Sequence, residues 1–116
     1  MKPRATHKKG RMNKLEAAYA QHLQQQVLGG QIQAWFFEAV KLNLAEGLAC
    51  QYTPDFMVVR ADDVLEFHEV KGHWEDDARV KVKVAAAKYP FIFKAITRER
   101  GQWCIENFTQ ENESDD

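Results

Sequence analysis

Residues 52–72 read YTPDFMVVR, then ADD, then VLEFHEVKG. The first and third pieces are rich in valine and aromatic residues, which favour β-strands, and the middle piece, with its two aspartates, is typical of a turn. We therefore predict two strands joined as a β-hairpin. In a hairpin the beginning of the first strand lies beside the end of the second, so Asp55 is expected next to Glu69 and Lys71.

The alternation of side chains along the second strand divides its residues between two faces. Residues two apart on a strand point the same way, so Glu69 and Lys71 are predicted to share a face with Phe67. The residues predicted on the opposite face are Glu66, His68 and Val70.

The charged end of this hairpin has two interpretations. Two carboxylates and one ammonium suit a hard divalent cation such as Mg²⁺, which binds carboxylate oxygens and substrate phosphates. Such a cation polarises a phosphoryl oxygen and lowers the pKa of a bound water. The plainer alternative is a solvated strand end with a Glu–Lys pair, because charged side chains are mostly exposed. Two details favour the first interpretation: Gly72 lets the chain leave the sheet, and Pro54 is tolerated only at a strand start or edge.

The order Pro54-Asp55, thirteen intervening residues and then Glu69-Val70-Lys71 resembles the motif of the PD-(D/E)XK nuclease superfamily. The resemblance implies a restriction-endonuclease-like core and hydrolysis of phosphodiester bonds with Mg²⁺ or Mn²⁺. It also implies that Lys71 assists the attacking water or the transition state. The metal ligands that it implies are Asp55, Glu69, the backbone carbonyl of Val70, and Glu16 from an upstream helix. The catalytic residues that it implies are Glu16, Asp55, Glu69 and Lys71.

The short chain looks most like the small phage-type endonucleases and Holliday-junction resolvases of that superfamily. This likeness implies a DNA partner, branched or duplex, a homodimer, and a location in the cytoplasm of a bacterial or phage-infected cell. In the family, a basic residue on the helix after the Glu-x-Lys strand often reaches the phosphate. The candidates for DNA contact are Arg79 and Lys83 on that helix, Lys8, Lys9 and Arg11 in a basic arm, and Trp74 in the loop beside the motif. Trp74 has an alternative role as a hydrophobic staple for the helix that follows it.

Length and charge distribution predict the domain organisation. A chain of 116 residues with 45% hydrophobic and 28% charged residues is long enough for one globular domain. The net charge of −1 hides an asymmetry, because residues 1–14 contain no acid and residues 106–116 contain no base. We predict a basic flexible arm over residues 1–11, a single nuclease-like domain over residues 12–106 and an acidic disordered tail over residues 107–116.

Cysteine usage and apolar runs bear on the compartment. The two cysteines, Cys50 and Cys104, have no metal-binding spacing, so we predict two reduced thiols that face the core, with a disulfide as the alternative. No apolar run approaches the ~18 residues of a membrane span, and no signal peptide is visible. A cytosolic protein without a membrane partner is expected.

The first helix has clear end signals. Asn13 is a plausible N-cap, Glu16 stands at the third helical position of a capping box, and Gly29-Gly30 ends the apolar period. Glu16 thus has a structural interpretation as a capping residue beside the catalytic one, and its helical position is compatible with both. His22, on the apolar side of the helix, is predicted to be a half-buried core residue rather than a ligand.

The remaining elements predict a mixed sheet. Residues 31–43 are predicted to form a strand covered on one side by the first helix and on the other by something else, such as a partner subunit. The acidic start and alanine run of residues 75–89 favour a helix over a strand. Residues 91–97 are predicted to be a strand parallel to the Glu-x-Lys strand, reached by a right-handed crossover, and residues 102–106 a last short strand. The predicted fold is α/β (α+β), a mixed β-sheet flanked by helices.

Two other functions are alternatives to the nuclease hypothesis. A non-catalytic nucleic-acid-binding module on the same fold would use the basic arm and helix, with structural carboxylates. A scaffold or inhibitor protein would need an exposed apolar patch.

Overall fold

The computed structural model describes residues 10–45, 50–73 and 76–109. These residues form a mixed α/β fold with two helices, a five-stranded sheet and a separate two-stranded ribbon. Among them, neither helix combines the length and the apolar character that crossing a bilayer requires. In chain order the elements are α1 (Lys14–Leu28), β1 (Ile32–Phe37), β2 (Leu42–Asn43), β3 (Gln51–Tyr52), β4 (Phe56–Arg60), β5 (Leu65–Val70), α2 (Asp76–Lys88), β6 (Ile92–Glu99) and β7 (Gln102–Asn107).

The large sheet has the strand order β1-β4-β5-β6-β7. The predicted hairpin is confirmed: β4 pairs antiparallel with β5, with Phe56 opposite His68 and Val59 opposite Leu65. The predicted parallel pairing of β5 and β6 is also confirmed, because α2 returns the chain to the starting edge before β6 begins. The other two pairings, β1 with β4 and β6 with β7, are antiparallel.

Helix α1 begins and ends where the sequence predicts. The side chain of Asn13 accepts a 2.7 Å hydrogen bond from the Glu16 N–H, and Oε1 of Glu16 accepts one of 2.9 Å from the Asn13 N–H. This reciprocal capping box satisfies two N–H groups that the first helical turn leaves unpaired. At the other end, Gly30 has a φ of 79°, a conformation that glycine adopts without steric cost.

Two apolar layers cover the two faces of the sheet. Beneath α1 the buried side chains include Tyr19, Leu23, Phe56 and Val70. Beneath α2 the layer includes Phe67, Phe93, Val82 and Ala85. Because Val70 belongs to the first layer and Phe67 to the second, β5 alternates between the faces as predicted.

Three expectations need correction. The strand predicted over residues 31–43 is divided: β1 ends at Phe37, and Glu38 has a φ of 51°, which a continuing strand does not allow. On the face of β1 opposite α1, Phe36 is 46% exposed. The prediction that both thiols face the core is wrong for Cys50, which is exposed because it lies directly before β3 in the small β2–β3 ribbon rather than in the main sheet.

The third correction concerns the predicted tail at residues 107–116. Its first residue, Asn107, is the last residue of β7. The next two residues also pack on the fold: the Phe108 N–H donates to the Phe93 carbonyl over 2.8 Å, and the hydroxyl of Thr109 accepts from the Phe93 N–H over 2.7 Å. The domain boundary therefore lies at least three residues later than predicted. Residues 110–116, like residues 1–9, lie outside the described residues.

Candidate metal and phosphate site

The hairpin brings Asp55 and Glu69 into direct contact. The Asp55 N–H donates to Oε1 of Glu69 over 3.2 Å, and the Val70 N–H donates to Oδ2 of Asp55 over 2.8 Å. These positions continue the β4–β5 register one step beyond the pair Phe56 and His68. Backbone pairing therefore holds the two carboxylates together at the strand ends, where the sequence predicted them.

Two further side chains reach Glu69. The hydroxyl of Tyr52 donates to Oε1 over 2.8 Å, and Nζ of Lys71 lies 3.6 Å from Oε2. Tyr52, Asp55 and Glu69 are each less than 8% exposed. Lys71 is half-buried. The ammonium thus lies at the rim of an otherwise buried polar cluster.

Burial and mutual repulsion oppose the simultaneous ionisation of the two carboxyl groups. Burial, then the charge of Glu69, raises the pKa of Asp55 to about 8, and the charge of Glu16 adds to this effect. Burial also raises the pKa of Glu69, against the lowering effects of Lys71 and of the Tyr52 hydrogen bond. At neutral pH the metal-free pair therefore keeps a proton, because one ammonium does not compensate two ionised carboxylates.

Glu16 and Asp55 line the same cleft. We call it the α1 cleft; it has a volume of about 610 Å³, lies at the start of α1 and includes Glu16, Glu38, Lys41, Asp55, Val70 and Lys71. Glu16 is 4% exposed and also serves as the capping residue. Both interpretations of Glu16 are therefore compatible with its position, and its catalytic role stays a prediction.

A second cleft lies on the α2 face of the same strand ends. We call it the α2 cleft; it measures about 290 Å³ and includes Tyr52, Thr53, Glu69, Lys71, Asp77 and Lys81. Thr53 and Lys71 line both clefts. The two clefts therefore meet at the Asp55–Glu69 pair, with Asp55 on one side and Glu69 on the other.

Lys81 is the lysine of α2 that lines the α2 cleft, and it is not among the predicted DNA-binding residues. Arg79 and Lys83 do share a face, as predicted, but they line a different cleft beside Glu106 and Phe108. There the guanidinium of Arg79 makes two hydrogen bonds to the Glu106 carboxylate, of 3.1 and 2.9 Å. Asp77 and Lys81 are four residues apart and therefore share a face of α2. This spacing of opposite charges is the sequence signal that could have indicated Lys81.

The other predicted DNA-contacting residues lie at or outside the limits of the described chain. Arg11 is exposed, and it follows Gly10, whose N–H donates to Oε1 of Glu38 over 2.9 Å. Because Glu38 lines the α1 cleft, the end of the basic arm lies beside that cleft. The predicted contacts of Lys8, Lys9 and Trp74 fall outside the described residues.

A separate buried polar chain crosses the α1 face of the sheet, and the sequence did not reveal it. The Tyr19 hydroxyl lies 2.7 Å from Nδ1 of His68, whose Nε2 lies 2.8 Å from Oε1 of Glu66. Burial lowers the pKa of His68, so the neutral ring donates from Nε2 to Glu66 and accepts from Tyr19. Arg60 and Lys94 complete the chain at 3.2 and 3.1 Å from the Glu66 carboxylate. Neither His68 nor Glu66 lines the two clefts at the strand ends.

The donor set at the strand ends fits a hard divalent cation. Mg²⁺ typically binds proteins through one or two carboxylates and keeps several of its waters, and Asp55 with Glu69 offers two. No hydrogen bond from the described residues reaches Oδ1 of Asp55. Among the described residues, no group of three acidic, histidine or cysteine side chains is arranged to hold a metal ion. The candidate ligands are therefore the pair, with Glu16 as a neighbour in the α1 cleft.

Comparisons of the chain with protein-family models, curated proteins and solved structures found no match. The chemistry of the site is therefore the basis on which a function can be inferred.

Proposed function

We propose that this chain is a metal-dependent endonuclease that hydrolyses phosphodiester bonds of DNA. The observation that carries the proposal is the buried contact between Asp55 and Glu69, which meets two open clefts and has the ammonium of Lys71 3.6 Å from Oε2 of Glu69. Two buried carboxylates that lack a counter-charge cost free energy unless a ligand supplies it. A Mg²⁺ or Mn²⁺ ion would supply that charge, polarise the phosphoryl oxygen and lower the pKa of a bound water.

Each of the other site residues has a separate role in this proposal. The Val70 N–H fixes Oδ2 of Asp55 and so leaves Oδ1 available as a ligand. Lys71 holds the attacking water or offsets the charge on the pentacoordinate phosphorus, since its ammonium lies at the junction of both clefts. Glu16 assists from the α1 cleft, and the carbonyl of Val70 is the further ligand that the PD-(D/E)XK resemblance implies.

The path of the substrate follows from the positions of the lysines. Lys41 lines the α1 cleft, Lys81 lines the α2 cleft and Lys71 lines both. A phosphate backbone that crosses the strand ends would therefore meet a lysine on each side of the Asp55–Glu69 pair. An ammonium on both sides suits an internal phosphodiester, because phosphates flank the scissile bond in both directions.

The substrate that we propose is branched DNA, bound by a homodimer. A domain of this size has little surface for reading base sequence, which favours recognition of DNA shape. This part of the proposal extends the resemblance to Holliday-junction resolvases.

Incubation of the purified protein with a matched nucleic-acid panel tests the proposal. The panel contains linear, nicked, supercoiled and four-way DNA, together with duplex RNA, with Mg²⁺, Mn²⁺ or EDTA. We expect metal-dependent cleavage of DNA, strongest on the four-way substrate, and a loss of about 100-fold or more in Glu69→Gln and Lys71→Ala with binding retained. Glu99→Gln and Lys88→Ala, which change exposed residues outside the two clefts, serve as matched controls.

Each alternative result has a defined meaning. DNA binding without cleavage under both metals would favour the non-catalytic binding module. Cleavage of RNA alone would change the substrate class. Equal cleavage by wild type and Glu69→Gln would refute the assignment of the site.

A further inference from the structure

We infer that Tyr52 is a positioning residue for the metal site, which holds the Glu69 carboxylate in the orientation that a divalent cation needs. This inference rests on the proposed function. Tyr52 lies outside the Asp-…-Glu-x-Lys pattern, and its role comes from a contact that only the folded chain creates.

The two carboxylate oxygens of Glu69 have different partners. Oε1 accepts from the Tyr52 hydroxyl over 2.8 Å and from the Asp55 N–H over 3.2 Å. Oε2 faces the ammonium of Lys71 at 3.6 Å. With both donors on Oε1, rotation of the carboxylate is restricted, and Oε2 is the oxygen left to bind a cation in the α2 cleft, which Glu69 lines.

The fold gives Tyr52 little freedom of its own. Its side chain is 6% exposed and packs in the apolar layer that includes Leu42 and Phe67. It lies on β3, paired with Leu42 of β2. The next residue of β2, Asn43, is held in turn by the Tyr89 hydroxyl, which accepts from its N–H over 3.1 Å and donates to its carbonyl over 2.6 Å. The ribbon and the end of α2 therefore fix the ring that orients Glu69.

Loss of the Tyr52 hydroxyl would act on the metal through Glu69. A carboxylate without this donor would sample several rotamers and would have to be ordered when a cation binds. Partners that orient metal ligands in this way typically affect metal affinity by ~10-fold to ~100-fold. A phenylalanine keeps the ring and its packing, so the effect of the hydroxyl is isolated.

The experiment compares Tyr52→Phe with the matched control Tyr19→Phe. Both substitutions remove one buried hydroxyl that hydrogen-bonds to another side chain, but the Tyr52 hydroxyl contacts Glu69, whereas that of Tyr19 contacts His68 away from both clefts. Mn²⁺ affinity is measured by isothermal titration calorimetry on the full chain, DNA affinity in EDTA, and turnover across a series of Mn²⁺ concentrations. We expect at least a tenfold weaker Mn²⁺ affinity for Tyr52→Phe, wild-type affinity for Tyr19→Phe, and unchanged DNA affinity for both.

Measurements of turnover distinguish a positioning role of Tyr52 from a general loss of protein stability in Tyr52→Phe. High Mn²⁺ should restore the kcat of Tyr52→Phe, whereas Glu69→Gln should stay inactive at every concentration. Wild-type Mn²⁺ affinity in Tyr52→Phe would overturn the role of Tyr52 and leave the nuclease proposal standing. A wild-type protein that takes up no Mn²⁺ and cleaves nothing would overturn the proposed function, and the role of Tyr52 with it.

Discussion

The Asp55 N–H donates to Oε1 of Glu69, a residue fourteen positions later in the chain. A return hydrogen bond runs from the Val70 N–H to Oδ2 of Asp55. The backbone of each strand thus holds the carboxylate of the other strand. This reciprocal arrangement keeps two acids together at a cost in stability, which makes the site open to direct thermodynamic tests.

Removal of one buried charge should stabilise the metal-free protein. In Asp55→Asn the amide oxygen can still accept from the Val70 N–H, while the repulsion with Glu69 disappears. We expect a gain of roughly 1–2 kcal/mol in the free energy of unfolding at pH 8, the usual size of a single stabilising substitution. Urea denaturation in EDTA measures it. Glu99→Gln, which neutralises an exposed acid, should change stability little, and a destabilised Asp55→Asn would contradict the account.

The same pair predicts how stability depends on pH. The pKa of Asp55 is raised from 3.8 to about 8 in the folded chain, so the native state binds a proton more tightly than the unfolded state. The associated stability is complete below pH 3.8 and is lost as the pH rises through 8. Urea titrations of the metal-free protein between pH 5 and pH 9 should show a decline that is smaller in Asp55→Asn. Parallel profiles for the two proteins would show that this pair does not titrate as described.

Capping and catalysis at Glu16 can be separated by a single substitution. A capping box accepts glutamine at the glutamate position, so Glu16→Gln should keep the free energy of unfolding within about 0.5 kcal/mol. If Glu16 assists the metal site, the same variant should lose metal-dependent cleavage. Asn13→Ala is the converse control: it should cost about 1 kcal/mol of stability while the folded protein still cleaves. Full activity in Glu16→Gln would leave Glu16 with the capping role alone.

The buried polar chain on the α1 face should contribute to stability. Burial alone would raise the pKa of Glu66, but hydrogen bonds from His68 and Lys94 outweigh it and lower this pKa to about 2. Glu66→Gln would leave these partners without a carboxylate and should cost roughly 2–3 kcal/mol in urea denaturation at pH 7. The control is Glu106→Gln, which breaks an exposed pair with Arg79 and should cost under about 1 kcal/mol. Equal losses in the two variants would contradict the argument from burial.

Much of the fold could be predicted from residues close together in the chain. Helix α1 follows from Asn13, Glu16 and the paired glycines, and the hairpin from two apolar strands around an aspartate turn. These signals are local, because caps, turns and alternation depend on neighbouring residues. The division of residues 31–43 was missed, because the positive φ of Glu38 arises where its N–H bonds the Asp55 carbonyl, seventeen residues away.

The contacts of the candidate site that lie within the β4–β5 hairpin could also be predicted from the sequence. The contact of Asp55 with Glu69 follows from antiparallel register, and the shared face of Glu69 and Lys71 follows from strand alternation. The sequence predicts Arg79 and Lys83, rather than Lys81, as the DNA-contacting residues of α2. A helical period shows which residues share a face, but it does not show which cleft that face meets. Tyr52 is not among the predicted site residues, because nothing local indicates that its hydroxyl meets Glu69.

By itself, the sequence determined the helices, the central hairpin and the meeting of Asp55 with Glu69, since each of these depends on backbone preferences or on register along neighbouring strands. Tertiary structure alone decided the surroundings of that pair: the Tyr52 hydroxyl, the two clefts that meet at Lys71, and the burial that raises the pKa of Asp55. Burial and long-range side-chain contacts arise only when α1, α2 and the β2–β3 ribbon pack around the sheet, and no short stretch of residues encodes that packing.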